Sequence, residues 1–239
     1  MTKIQYIHER LCEAKIRDNL SKVVADVDAL IPQSEAEFLE IQKFGLYPAK
    51  ECVPFVTKQG TPFYQLDNMA MAPKGDTANY MRYGDFIFRQ IEVLYIMARM
   101  DNADAHLWLM DNLFQGCRVD ARKKTEYKSK FKGCERADWK GVQVEWMKYC
   151  LCLKYRCNAL FRKDLFDCNG KLPVEDATAT NYASSLFWGA SLVELEGEKY
   201  YFGCNVFGKL LAKLRENNGK LTYELPKDMH LFGKPILNI

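Results

Sequence analysis

With 239 residues, 48% hydrophobic and 13% aromatic, the chain can bury a sizeable core, as one large domain or one domain with an appendage. A formal net charge of +3 does not by itself mark a nucleic-acid binder, though it leaves phosphate-bearing substrates easy to accommodate. Nine cysteines cannot all pair with one another, no Cys-x-x-Cys occurs, and His8, His106 and His230 are far apart. That pattern argues against structural zinc, predicts no metal, and points to free thiols in a reducing compartment.

The opening Met-Thr-Lys-Ile-Gln-Tyr-Ile-His lacks the apolar run of a signal peptide, and no stretch approaches a membrane span. A cytoplasmic location with no membrane partner is the expectation. Over residues 3–30, Ile4, Ile7, Leu11, Ile16, Leu20, Val23, Val24 and Val27 recur at helical spacing, and Pro32 ends the run. Ser34 and Glu37 resemble a capping box for a short helix closing near Gly45. Residues 1–45 therefore read as an N-terminal helical extension and 46–239 as the main domain.

Further on, 53–66 has β texture and is predicted as a hairpin turning at Gln59-Gly60-Thr61-Pro62. A polar loop follows over 72–82. Residues 85–99 read as a buried central helix capped by Asp85, and 102–115 as another helix. The stretch 118–132, with Arg118, Arg122, Lys123, Lys124, Lys128, Lys130 and Lys132, reads as a solvated loop or short hairpin. Two consecutive helices are predicted over 138–167, closed by Asn169-Gly170. Strands over 191–195 and 199–202 flank Glu196-Gly197-Glu198, and a helix starts at Asn205. The fold class is α+β, helix-dominated, with no internal repeat.

Three features carry chemistry. Gly203 to Lys209 has the spacing G-x-x-x-x-G-K, but Leu210 stands where a P-loop needs Ser or Thr for magnesium, so no nucleotide-metal cofactor is expected. What remains is a helix mouth with Asn205, Lys209 one turn in and Arg215 beyond, able to grip an anionic or polyhydroxylated ligand. Glu92 lies in an apolar run, where an unpaired carboxylate is costly, with Arg89 and Arg99 at helical spacing on its face. It is either half of a structural ion pair or a poised carboxylate. Trp188 before Gly189 offers a stacking surface or a core ring. Lys154 and Asn158, four apart on one helix, read by default as a solvated edge.

Together these segments resemble the NADAR (YbiA-like) superfamily over roughly residues 55–217. Its Leu-Ser-Asn-Phe opening and nearby Pro are matched by Leu66-Asp67-Asn68-Met69 and Pro73. Its Glu, followed seven residues later by Lys, corresponds to Glu92 and Arg99. Its Lys-Phe-x-x-Asn is similar to Lys154-Tyr155-Arg156-Cys157-Asn158. Its Trp-Gly pair is matched by Trp188-Gly189, and its closing motif by Gly203, Asn205, Phe207, Gly208, Leu211 and Arg215. Two departures stand out. Ser185 occupies the place of the family's Asp, so Glu175 or Asp176 would have to substitute for it if that Asp is catalytic. Arg99 keeps the charge of the family Lys but not its point-donor geometry.

The resemblance implies a NADAR/YbiA-like single domain behind the helical extension. It also implies an N-glycosidase that cleaves the bond between a base and an ADP-ribosyl or phosphoribosyl group, without cofactor. The substrate would be a small-molecule riboside, such as an early riboflavin-pathway intermediate, or ADP-ribosyl-guanine in ADP-ribosylated DNA. Glu92 would be the carboxylate at the anomeric carbon. Asn68 and Asn205 would bond ribose hydroxyls, and Trp188 with Gly189 would face the base or sugar. Arg99, Lys154, Lys209 and Arg215 would contact phosphate or make structural pairs. The alternatives are an ADP-ribose-binding module without catalysis and an interaction protein that keeps only the scaffold.

Overall fold

The computed structural model describes residues 45–113, 121–179, 183–195 and 198–239. The expected N-terminal helices, Arg118 and the turn at 196–197 lie outside them. Nine short strands are described. They are β1 (Gly45–Pro48), β2 (Cys52–Phe55), β3 (Met81–Tyr83), β4 (Phe86–Phe88) and β5 (Leu172–Glu175), then β6 (Ser191–Leu195), β7 (Glu198–Gly203), β8 (His230–Leu231) and β9 (Lys234–Pro235). The α-helices are α1 (Glu92–Met97), α2 (Ala103–Asp111), α3 (Ala121–Lys130) and α4 (Trp139–Cys157), followed by α5 (Ala159–Asp167), α6 (Ala183–Trp188) and α7 (Val206–Glu216). The class is α+β with helix predominant.

Two compact units divide these elements. The first comprises the described residues of Met1–Tyr64 and Phe166–Lys213. It contains the antiparallel sheet β1-β7-β6 and the parallel pair β2-β5. Cys52, Val174, Ala190 and Tyr201 pack at its centre, with Tyr47, Ala49, Leu172 and Leu192 against them. The second unit, Gln65–Leu165 and Leu214–Ile239, is built around α1 and α4. Its core includes Val93, Leu94, Met97, Tyr127, Trp146, Tyr149 and Leu153. The Trp146 indole stacks on Tyr149 at 4.7 Å and donates to the Leu94 carbonyl at 3.3 Å, so the interior of α4 grips α1.

Local signals explain several elements directly. Asn102 caps α2 by accepting from the Ala105 N–H at 2.9 Å. Asn169 (φ 49) and Gly170 (φ 79) adopt the left-handed conformation that ends α5. Three expectations fail for physical reasons. The hairpin over 53–66 does not form, because β2 takes a remote partner, pairing in parallel with β5 so that Val53 faces Pro173. The helix expected over 85–99 is shorter. Gly84, at φ 56, turns a hairpin between β3 and β4, and α1 begins only at Glu92. Around that turn Met81 and Tyr83 are buried and Arg82 exposed, a period of two that overrides the apolar run after it. Finally, the basic stretch is helical over Ala121–Lys130. Tyr127, 1% exposed, anchors it in the core and donates to the Met97 carbonyl at 3.4 Å.

The C-terminal strands are tied down through His106, whose Nε2 meets the Met100 carbonyl at 2.8 Å while Nδ1 accepts from the Phe232 N–H at 3.0 Å. Burial lowers its pKa below the ordinary 6.5, since charging it would place a proton against the Phe232 donor. Between the lowered pKa and 6.5 the unfolded chain binds more protons than the native one. The contribution of His106 is therefore complete above about pH 6.5 and fades as pH falls below it. Thermal unfolding between pH 7.5 and 5 should show this loss, and His106→Gln should flatten the profile while lowering stability throughout.

Among the described residues none of the seven cysteines forms a disulfide, and no helix is long and apolar enough to cross a membrane.

Candidate functional site

In the second unit three sequence segments converge on one buried polar cluster. Glu92 opens α1, and its N–H donates to the Asn68 carbonyl at 3.1 Å. Lys154 on α4 donates its Nζ to the carbonyls of Asp67 at 2.6 Å and Leu66 at 3.4 Å. Asp67 Oδ1 accepts from the Met69 N–H at 2.6 Å, which turns the chain at Asn68. Asn68 Nδ2 donates to Met147 Sδ at 3.2 Å, and Asn68 Oδ1 is buried without a hydrogen-bond partner. The 66–69 segment is thus held from α4 and delivered to the start of α1.

The counter-ion of Glu92 is neither of the arginines that helical spacing suggested. Arg89 precedes α1 and its Nε donates to the Ala72 carbonyl at 2.9 Å. Arg99 follows the end of α1, and its Nη2 pairs with Glu135 at 3.2 Å. Lys124 of α3 makes the ion pair with Glu92 Oε1 instead. Only 11% of the Glu92 side chain is exposed. Burial pushes its carboxyl pKa up, Lys124 pulls it back by charge and hydrogen bond, and the nearby Asp67 raises it again. A carboxyl raised by burial and held in cationic company suits proton transfer or stabilisation of a developing cation.

Lys154, expected among substrate contacts, is instead wholly buried and supports the 66–69 segment. Its ammonium lies 4.6 Å from the Phe161 ring centroid. Burial lowers its pKa to about 7, with Asp67 and Asp164 opposing the shift. Between there and the ordinary 10.5 the folded chain has released a proton that the unfolded chain keeps, so stability rises with pH across that window. Lys154→Met should flatten the rise in urea midpoint measured between pH 7 and 10. A slope equal to that of the wild type would refute the buried, deprotonating lysine. Nearby, Asn158 is also buried, and its Oδ1 accepts from the Phe161 N–H at 2.9 Å to cap α5.

The remaining expected site residues, apart from Arg215, belong to the first unit, where most are scaffold. The Asn205 N–H donates to the Gly189 carbonyl at 3.0 Å. Asn205 is expected to bond a ribose hydroxyl, but it is wholly buried and donates Nδ2 to the Pro173 carbonyl at 2.9 Å. Its φ of 46 is one that asparagine tolerates better than most residues. Glycine is required where backbones meet. A Cβ on Gly189 would stand 2.2 Å from the Glu175 carbonyl oxygen, and one on Gly203 would stand 2.4 Å from that of Gly189. Trp188 is half-buried with its ring edge-on to Phe187 at 5.0 Å. Lys209 is half-buried and its Nζ lies 5.8 Å from the Tyr47 ring centroid. Arg215, in the last turns of α7, is half-buried and belongs to the second unit.

Sequence reasoning missed Lys124 and Asp67. Tyr127 and Phe131, two aromatics four apart in a basic run, were the available signal that this run packs as a helix. Among the described residues no group of three His, Cys, Asp or Glu side chains could hold a metal ion. Compared with known proteins, the chain matches no family model and no curated sequence.

Proposed function

We propose that this chain is an N-glycosidase acting on a phosphoribosyl or ADP-ribosyl group joined to a base, with Glu92 as its catalytic carboxylate. The observation that carries the reading is the Glu92 cluster. A nearly buried carboxylate, countered by Lys124 and raised in pKa by burial, sits beside the unpartnered Oδ1 of Asn68. Such a carboxylate can take a proton from water as the water oxygen bonds the anomeric carbon. The carbon–nitrogen bond breaks with its electron pair going to the base, and the negative charge steadies oxocarbenium character at the sugar. Asn68 Oδ1 offers an acceptor for a sugar hydroxyl. Support also comes from the convergence of three segments that the NADAR resemblance singled out, 66–69, Glu92 and Lys154, on one cluster.

Incubation with ADP-ribosylated DNA and with free phosphoribosides, followed by mass spectrometry, tests the reading. Release of free base with a ribosyl product is the expected result, and intact substrates in every arm would sink it. A second reading, binding of ADP-ribose without turnover, is favoured by Ser185 in place of the family Asp and by Lys124 seated on Glu92. Calorimetric binding of ADP-ribose with no product released would select it.

A further inference from the structure

Two donors of the Glu92 cluster lean on methionine sulfur. Asn68 Nδ2 donates to Met147 Sδ at 3.2 Å, and Lys124 Nζ, paired with Glu92, lies 3.7 Å from Met69 Sδ. A thioether is a weak acceptor, so Lys124 keeps most of its hydrogen-bonding strength for the carboxylate. Burial separates the two methionines. Met147 is 3% exposed, whereas Met69 is half-buried and sits beside a Lys124 side chain that is itself 24% exposed. Met69 is thus partly open to small solutes, and Met147 is closed to them.

We propose that Met69 is an oxidation site coupled to Glu92 through Lys124, accepting one oxygen atom from a hydroperoxide. A sulfur lone pair attacks the outer peroxide oxygen, and the O–O bond breaks as the S–O bond forms. The peroxide proton goes to the departing oxygen, which leaves as water or an alcohol. Sulfur is oxidised by two electrons and the peroxide is reduced by two. A sulfoxide reductase restores the thioether.

The consequence follows from the contacts. The sulfoxide oxygen is a polar acceptor where the thioether was a weak one, and it engages an N–H of Lys124 that otherwise serves Glu92. Few neighbours make good that loss. Of the other groups facing Glu92, Asp67 of the 66–69 segment opposes its ionisation, Lys128 of α3 favours it, and the Cys150 thiol of α4 is wholly buried. Oxidation of Met69 therefore loosens the counter-ion and makes the Glu92 carboxylate easier to protonate.

Hydrogen peroxide treatment of the full chain tests the coupling, with peptide mass spectrometry to place the oxygen. The Glu92 carboxyl is titrated by NMR before and after, its signal assigned by its loss in Glu92→Gln. Met69 should be oxidised and Met147 spared, and Glu92 should then bind its proton about 3-fold more tightly, the scale of weakening one hydrogen bond. In Met69→Leu the titration should not move on treatment, although Met71 and Met110 are half-buried and stay open to peroxide. Met69→Gln, which supplies a strong acceptor without oxidation, should show the tighter proton binding from the start. The coupling is overturned by an unmodified Met69 where Met71 or Met110 is oxidised. It is also overturned by a Glu92 titration that Met69 oxidation leaves in place, or that moves equally in Met69→Leu. The effect on turnover, an upward move of the rising limb of the pH–rate profile, rests on the N-glycosidase reading. Intact ribosides from the untreated protein would sink that reading and leave the coupling standing, because the NMR titration needs no turnover.

Discussion

Replacing Glu92 with Gln should lower glycosidase turnover by about 10³-fold, the scale of losing a positioned base or a charge that stabilises the transition state. The fold should survive. In the native protein the ionised carboxylate is held against desolvation, so its pKa is raised above 4.5. A carboxyl whose folded pKa is raised opposes folding increasingly as pH climbs from the unfolded chain's value toward the raised one, because over that window the native state holds a proton that the unfolded chain has released. The amide carries no such penalty. Lys124, 24% exposed at its side chain, can turn to solvent when its partner is gone. Stability of the variant should therefore stay within about 1 kcal/mol of wild type. The wild-type rate should also rise with pH through the raised Glu92 pKa, a limb that the variant lacks. Turnover of the Gln variant within a few-fold of wild type would remove Glu92 from the chemistry.

The second large effect is on stability. Gly208 lies inside α7, where glycine costs up to about 1 kcal/mol relative to alanine. A Cβ there would stand 2.0 Å from the Pro173 carbonyl oxygen and 2.5 Å from Asn205 Nδ2. Neither neighbour can yield. Pro173 is a residue of β5, paired with β2, and the buried Asn205 amide bonds the same oxygen at 2.9 Å. Gly208→Ala should cost about 3 kcal/mol, which for a chain of this length lowers Tm by roughly 6–12 °C. Gly141, in α4, is the control, because a Cβ there meets nothing within 4 Å. Gly141→Ala should stabilise by up to about 1 kcal/mol. A Gly208→Ala melting point within about 2 °C of wild type would show that the approach of α7 to β5 is not tight.

These two residues also divide what was legible in the sequence from what was not. Glu92 was conspicuous as a carboxylate in an apolar run, and burial costs alone make that a signal. Its partner was hidden, because Arg89 and Arg99 satisfy helical spacing only if one helix runs through 85–99. Gly84 instead turns a hairpin there. Gly208 and Asn205 matched a ligand-gripping motif equally well as a packing motif. Residue type cannot tell an amide that bonds a sugar from one that bonds a strand carbonyl.

What the sequence determined by itself was local. It specified α4 and α5 with their Asn169-Gly170 stop, a helix beginning near residue 102, and the strands β6 and β7. Each of these rests on periodicity or on the backbone freedom of one or two residues. Only the tertiary structure decided that β2 pairs with β5, that α3 brings Lys124 to Glu92, and that Lys154 lies beneath the 66–69 segment. Those outcomes join residues 32 to 120 positions apart, as from Glu92 to Lys124 and from Cys52 to Leu172. Pairings of that kind are chosen by the burial and hydrogen bonding of the whole assembly, which no local pattern encodes.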